Sequence, residues 1–412
     1  MAIFENRGTD MYREATATPT SVEAGLTLPA TSVFDIPRSP ALSYILLLPL
    51  VFLLSGLLLR FLAFRTAMPA AEFTEYFDEL CRWDCSWYVK MAETGYDRFP
   101  VPGRINAGNW AFFPSFPMLV GGVRALLPFP TIVTASLVSL VVTYAAVLAA
   151  WPLLNRDRAA YALYAAFMLS GPVSFYFTSF FTEPLYVLMT TLVFAQLARA
   201  RYLSAGVAAA ILSATRIVGV FASLAIGLQA LLDYRRNTGT WRGAIPALLG
   251  NPQLVLALFI APLGLFAYMA FLHFWVGDAL AFSHVQRAWA RTIANPLTYL
   301  WQGFGNRPDE GWAPTSSQIL ATVALAGLIL TGVLAWRRQW PAALFCLLAI
   351  IIPLAAGLAS MLRFMSALTP LTITLMTLLA RRRWLFWLSL AAILLGAYTT
   401  TLAWFGGNVA LV

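Results

Sequence analysis

Asp84 stands between Trp83 and Trp87 in the segment Cys81-Arg82-Trp83-Asp84-Cys85-Ser86-Trp87-Tyr88. A carboxylate among aromatic rings has two plain chemical uses: it accepts a proton from a hydroxyl, or it holds a cation. Trp and Tyr beside it can stack on a sugar ring. A helix over 78–94 would place Asp84, Trp87, Tyr88 and Met91 on one face, and Gly95 would end it. The same residues also fit a humbler reading, with Trp and Tyr as interface anchors and Asp84 paired to Arg82.

Three more charges are isolated enough to be informative. Arg216 and Arg363 each lie apart from the other basic residues, next to apolar runs. Glu183 lies in the stretch between two such runs. A planar guanidinium meets phosphate or carboxylate through two parallel hydrogen bonds, which an ammonium cannot do. Glu183 is therefore either a buried partner for Arg216 or a residue that orients substrate or Asp84. Of the two histidines, His273 lies in an apolar run and reads as core. His284 lies near Gln286, Arg287 and Trp289 and can hydrogen-bond a sugar or a phosphate. Asp278 is either a sugar contact or a helix cap.

Metal chemistry finds little support. The acids Glu72, Glu75, Asp78, Glu79, Asp84, Asp309 and Glu310 are scattered without a recognisable ligand spacing. Cys81 and Cys85 have no His nearby to complete a zinc site. Four residues apart on one helix, they would also be badly placed for a disulfide. Cys346 reads as buried filler. No metal and no cofactor are expected, although a divalent cation is not foreign to such a site.

The elements that must position these residues are membrane helices. Of 412 residues, 60% are hydrophobic and only 11% charged, against about 25% charged in soluble domains. Such a chain cannot clothe a soluble globule. Mean hydropathy is +0.74. The net charge of +9 suits cytoplasmic loops, and no soluble basic domain exists to bind nucleic acid. The expected fold is all-α and polytopic, with about eleven transmembrane helices.

Residues 1–39 are polar and aperiodic and read as a disordered cytoplasmic tail; residues 40–412 form a single multi-pass domain. Apolar runs begin at 41–64 and continue at 131–154, 159–179, 183–198, 202–215, 217–233, 252–276, 316–335, 341–359, 364–380 and 384–405. Arginine clusters at 156–158, 199–201, 235–242, 337–338 and 381–383 mark alternate gaps, which the positive-inside rule makes cytoplasmic. Two long polar segments, 65–130 and 277–315, then share the opposite face. The second half of the first, from Asn109-Trp110-Ala111-Phe112-Phe113-Pro114 onward, is too short to span and predicts a surface helix over 115–127.

Several of these segments resemble a known family. Arg82-Trp83-Asp84-Cys85-Ser86-Trp87-Tyr88, Gly95-Tyr96 and Ala111-Phe112-Phe113-Pro114 with Pro117 resemble the second GPI mannosyltransferase (PIG-V) and its bacterial relatives, within the GT-C superfamily. Ser179-Phe180-Phe181-Thr182-Glu183-Pro184-Leu185-Tyr186 is similar to the family's Tyr-Ser/Thr-Glu-x-Leu-Phe element, with Phe181 in place of the usual Tyr. Thr215-Arg216-Ile217-Val218-Gly219 and Ser360-Met361-Leu362-Arg363-Phe364 with Pro370 resemble two later elements. Gly277-Asp278 through Phe282, Gln286 and Trp289 resembles its late outer loop. The likeness covers roughly 45–375.

The resemblance implies a glycosyltransferase, usually a mannosyltransferase, that inverts at the anomeric carbon. The donor would be a polyprenyl- or dolichyl-phosphate sugar, and the acceptor a glycan, glycolipid or protein. Transfer would occur on the extracytoplasmic face, in a bacterial plasma membrane or a eukaryotic endoplasmic reticulum. In that frame Asp84 is the general base and Glu183 a second catalytic acid. Arg363 and Arg216 contact the donor phosphate. Trp83, Trp87, Tyr88, His284 and Gln286 contact sugar or acceptor. A multi-pass lipid or solute transporter is the alternative of a different class, and a scaffold without activity a third.

Overall fold

Every apolar run contains a helix, because in hydrocarbon a backbone must satisfy its own hydrogen bonds. The computed structural model describes residues 41–101, 107–305 and 314–407. The tail at 1–39 and the acids Asp309 and Glu310 lie outside these residues.

The chain enters by α1 (Ala41–Ala67) and folds the first polar segment into α2 (Glu75–Leu80), α3 (Cys85–Thr94) and α4 (Ser115–Arg124). Then come α5 (Thr131–Ala150), α6 (Arg158–Ser170), α7 (Glu183–Leu197), α8 (Tyr202–Ser213), α9 (Ala222–Thr238) and α10 (Ala244–Leu249). A broken pair follows, α11 (Pro252–Ile260) and α12 (Leu263–Val276). The second polar segment holds α13 (Ala281–His284) and α14 (Pro296–Phe304). The last five helices are α15 (Pro314–Trp336), α16 (Trp340–Leu354), α17 (Met361–Ala367), α18 (Thr369–Leu379) and α19 (Arg383–Phe405). No strand occurs among the described residues.

Six helices are long and apolar enough to cross a membrane: Leu42–Ala67, Thr131–Ala150, Ile217–Thr238, Pro252–Val276, Ser316–Trp336 and Arg383–Phe405. The pair α17–α18, bent by 73°, makes a seventh if counted as one span. The chain is an integral membrane protein. The other four apolar runs form α6, α7, α8 and α16, of 13, 15, 12 and 15 residues. A membrane helix needs about 20 residues, so these four fall short of an independent crossing. They are cut short at charges and at Gly-Pro or Pro punctuation: Gly171-Pro172 after α6, Arg216 after α8 and Pro353 in α16.

The stretch 173–182 between α6 and α7 holds no α-helix, only a short 3-10 turn at Ser174–Phe177, yet is buried throughout. Non-helical backbone at that depth survives only where protein surrounds it and answers its polar groups. Here Ser139 Oγ donates to the Ser179 carbonyl (2.7 Å) and Thr143 Oγ1 to the Phe177 carbonyl (2.6 Å). Arg60, fully buried in α1, donates to the Leu169 carbonyl (3.1 Å) and to Ser174 Oγ (2.7 Å). This braced turn delivers Glu183 as the first residue of α7.

Glycines set the close helix crossings. A Cβ on Gly56 of α1 would collide with the Leu169 carbonyl of α6, and one on Gly264 of α12 with the Ala210 carbonyl of α8. Small residues at such seams let membrane helices approach backbone to backbone.

Three sequence expectations are corrected. The helix expected over 78–94 is two helices, broken at Cys81–Asp84, with Trp83 in a left-handed conformation (φ 60°). Because of that break, Cys81 and Cys85 do not share a helix; their Cα atoms lie 5.2 Å apart and they form a disulfide. His273 is exposed on α12, not core. The surface helix expected over 115–127 is α4, and Cys346 is buried.

Candidate active site

Four charges from four distant segments meet at one place. Asp84 is the residue before α3, at the positive end of that helix's dipole. Glu183 opens α7, Arg216 follows the end of α8, and Arg363 lies in α17. Arg363 Nη1 donates to Asp84 Oδ2 at 2.7 Å. Arg363 Nε is 3.0 Å from Glu183 Oε1. Arg216 Nη2 pairs with the same Glu183 oxygen, and Arg216 Nε donates to Thr182 Oγ1 (3.1 Å). Glu183 is 0% exposed, so the carboxylate bridges two guanidinium groups in a medium where an unmatched charge would be costly.

The motif around Arg216 has a steric reason. A Cβ on Gly219 would strike the Leu212 carbonyl, so only glycine lets the turn Ile217–Phe221 fold back onto α8 and aim Arg216 inward. Ser360, before α17, takes the left-handed conformation (φ 66°) and reverses the chain so that Arg363 faces the acids. Phe364 lies under both guanidinium groups, 4.8 Å from Arg216 and 5.4 Å from Arg363. Cation–π contact of this kind adds to the ion pairs in holding the two arginines.

These charges open on a cavity of about 630 Å³. Asp84, Tyr88, Arg216 and Arg363 line it, as do His284 and Gln286 from the second polar segment. Glu183 lies behind the wall. Trp87 also stands behind, stacked on Phe112 (5.8 Å between centroids, 22°) and edge-on to Trp289 (5.9 Å). Trp83 is 41% exposed and is not among the lining residues. The structure therefore brings Asp84, Glu183, Arg216, Arg363, Tyr88, His284 and Gln286 together. Trp87 serves the wall and Trp83 lies outside it.

Burial, and after it the neighbouring Asp84 carboxylate, pushes the Tyr88 hydroxyl well above its ordinary value. The phenol stays protonated and offers a donor beside Asp84. His284 Nδ1 contacts Asp278 Oδ2 at 2.7 Å, while Asp278 Oδ1 accepts from the Leu280 N–H (2.9 Å). Asp278 thus fixes the imidazole that lines the cavity.

The aromatic wall is pinned by polar residues to which sequence reasoning gave no positioning role. Tyr96 and Tyr268 both donate to the Phe112 carbonyl, at 2.6 and 3.1 Å. Asn109 accepts from the Asp97 N–H (2.9 Å) and donates to the Gly95 carbonyl (3.0 Å). Arg287 and Arg291, also missed, line the cavity. Their only signal in the sequence is two cations in a segment otherwise read for His284 and Gln286. Among the described residues no three His, Cys, Asp or Glu side chains gather as metal ligands.

No protein-family model and no curated protein matches the sequence. Among solved structures, the apo oligosaccharyltransferase of Archaeoglobus fulgidus aligns with a TM-score of 0.43 and 12% identity, over 88% of this chain and 56% of that one. The chain thus spans a little over half the length of that protein, and a likeness of that size assigns no shared fold.

Proposed function

We propose that the chain is a membrane glycosyltransferase of the GT-C type. It transfers a sugar, mannose first, from a polyprenyl- or dolichyl-phosphate donor to an acceptor hydroxyl on a glycan, glycolipid or protein. The observation that carries this reading is the placement of Asp84. It is a carboxylate held by Arg363 on the wall of a cavity lined both by cationic and hydrogen-bonding residues and by apolar ones. An amphiphilic phospho-sugar has the same division.

The chemistry follows from that placement. The acceptor oxygen attacks the anomeric carbon, the carbon–oxygen bond to phosphate breaks, and Asp84 takes the hydroxyl proton on Oδ1. The lipid phosphate leaves with the bonding electron pair and needs cations rather than a proton. Tyr88, His284 and Gln286 offer hydrogen bonds to sugar hydroxyls. The Cys81–Cys85 disulfide supports a non-cytoplasmic first loop, since disulfides persist in oxidising compartments.

The test uses purified protein in lipid nanodiscs with radiolabelled polyprenyl-phosphate-mannose, a membrane-lipid acceptor pool and chelator. Label should leave the donor and enter a new product. If no lipid-phosphate sugar is consumed, the reading fails; label that crosses the bilayer of a vesicle without a covalent product would make the protein a transporter.

A further inference from the structure

Four arginines, Arg216, Arg287, Arg291 and Arg363, line the cavity, against one carboxylate, Asp84. Arg216 and Arg363 are already matched, the first by Glu183 and the second by Asp84 and Glu183 together. Their guanidinium groups serve to hold the acids in place. Arg287 and Arg291 have no carboxylate partner among the described residues. Arg291 makes one long side-chain hydrogen bond, to Ser360 Oγ at 3.5 Å, near the outer limit for such a bond. Burial lowers its proton affinity, and the nearby Asp84 carboxylate partly offsets this without forming an ion pair with it.

Besides Asp84, Arg363 and the sugar-binding candidates, the cavity that holds Arg291 is lined by the apolar residues Ile217, Ile293, Ala349, Ile352 and Pro353. The turn Ile217–Phe221 packs on α16, and Ile217 and Ile352, each 38% exposed, form an apolar seam on the cavity wall. The Ala294 N–H donates to the Ala355 carbonyl at 2.8 Å, which fastens the Arg291 segment to the end of α16. A cation without an ion-pair partner among the described residues therefore sits in a cavity that also carries an apolar seam.

We infer that Arg291, with Arg287, is the binding site for the phosphate of a lipid monophosphate whose hydrocarbon chain leaves through the Ile217–Ile352 seam. This deepens the proposed function and rests on it for the sugar that the phosphate carries. It also reassigns the phosphate contact, from Arg216 and Arg363 to the two arginines that form no ion pair among the described residues. A guanidinium fork on a phosphate is a charge-assisted pair of hydrogen bonds, and its loss costs about ten- to a hundredfold in affinity.

The experiment reads binding rather than transfer. Purified protein in phosphatidylcholine nanodiscs is titrated with farnesyl phosphate, farnesol and inorganic phosphate. Farnesyl phosphate should bind saturably, and the other two at least about tenfold more weakly, because each lacks one half of the ligand. Arg291→Gln should weaken farnesyl phosphate about ten- to a hundredfold, with Arg291→Lys in between. Ile352→Trp should weaken farnesyl phosphate and leave inorganic phosphate as it was. Arg98→Gln, on an exposed arginine stacked on Trp275 away from the cavity, should change nothing. Wild-type affinity in Arg291→Gln overturns the inference, as does inorganic phosphate binding as tightly as farnesyl phosphate. Mannosyl transfer that fails while these binding differences hold would remove the proposed reaction and leave the lipid-phosphate site standing.

Discussion

Arg363 lies 279 positions beyond Asp84 in the chain, and its Nη1 sits 2.7 Å from the Asp84 Oδ2. The pair is reinforced from behind, because Glu183 draws on Arg363 and Arg216 at once. Asp84 is thus aimed by a guanidinium that cannot swing away without abandoning a second, buried acid.

Replacing Asp84 by Asn keeps the shape and a hydrogen-bond acceptor for Arg363, and removes the proton acceptor. Transfer from polyprenyl-phosphate-mannose should fall about 10²–10⁴-fold, with the melting temperature of the purified protein nearly unchanged. A fully active Asn variant would sink the base assignment.

Glu183 should matter to folding before it matters to rate. Glu183→Gln leaves Arg216 and Arg363 without their shared buried anion, a change worth about 3–5 kcal/mol when a buried pair is broken. Denaturant titration in detergent should show the loss in the absence of any substrate. Stability equal to wild type would mean that water enters the charge cluster freely.

Gly56 tests the α1–α6 seam. In Gly56→Ala the new methyl meets the Leu169 carbonyl, and overpacking of this kind costs about 1–3 kcal/mol. Gly332 in α15 is the comparison, since a Cβ there meets nothing within 4 Å. Gly332→Ala should leave stability unchanged or raise it by up to about 1 kcal/mol. Equal melting temperatures for both variants would contradict the close crossing.

The Asp278–His284 contact has a defined pH behaviour. The His284 hydrogen bond, first, and the Leu280 N–H hold the Asp278 carboxyl below its ordinary value. A depressed folded value stabilises at pH above the ordinary carboxylate range and is lost as pH falls through the folded value. The contact should therefore persist to a pH more acidic than a free carboxylate would allow. Carboxyl NMR titration would show this, and His284→Ala should shift the Asp278 midpoint upward. No upward shift would mean that the ring does not hold the acid. Both groups are well exposed, so the contribution to global stability is small.

Much of this arrangement is legible in residue types alone. Apolar runs report helices directly, and an isolated Arg or Glu among them reports a site because such charges are expensive at membrane depth. That is how Glu183, Arg216 and Arg363 stand out from the sequence, while Asp84 stands out by its aromatic neighbours. Partnership is less visible. Periodicity over 78–94 hides the break at Trp83, since nothing in helical spacing announces a left-handed tryptophan, and with the break went the Cys81–Cys85 disulfide. Hydropathy also does not distinguish a crossing helix from a short one, so of the eleven apolar runs only six, or seven with the bent pair, are long enough to cross by themselves. Arg287 and Arg291 escape for a different reason: only the pairing of their neighbours reveals that they are left over.

The four charges of the site are made in the order Asp84, Glu183, Arg216, Arg363. On a ribosome, Glu183 gains a counter-charge 33 residues later, whereas Asp84 must wait for α17, 279 residues on. A nascent chain halted before α17 carries two acids and one of their cations, with the first loop still unlatched. Completion of the site is therefore a late event of biogenesis, and a truncated product advertises itself by an unneutralised carboxylate on its first loop.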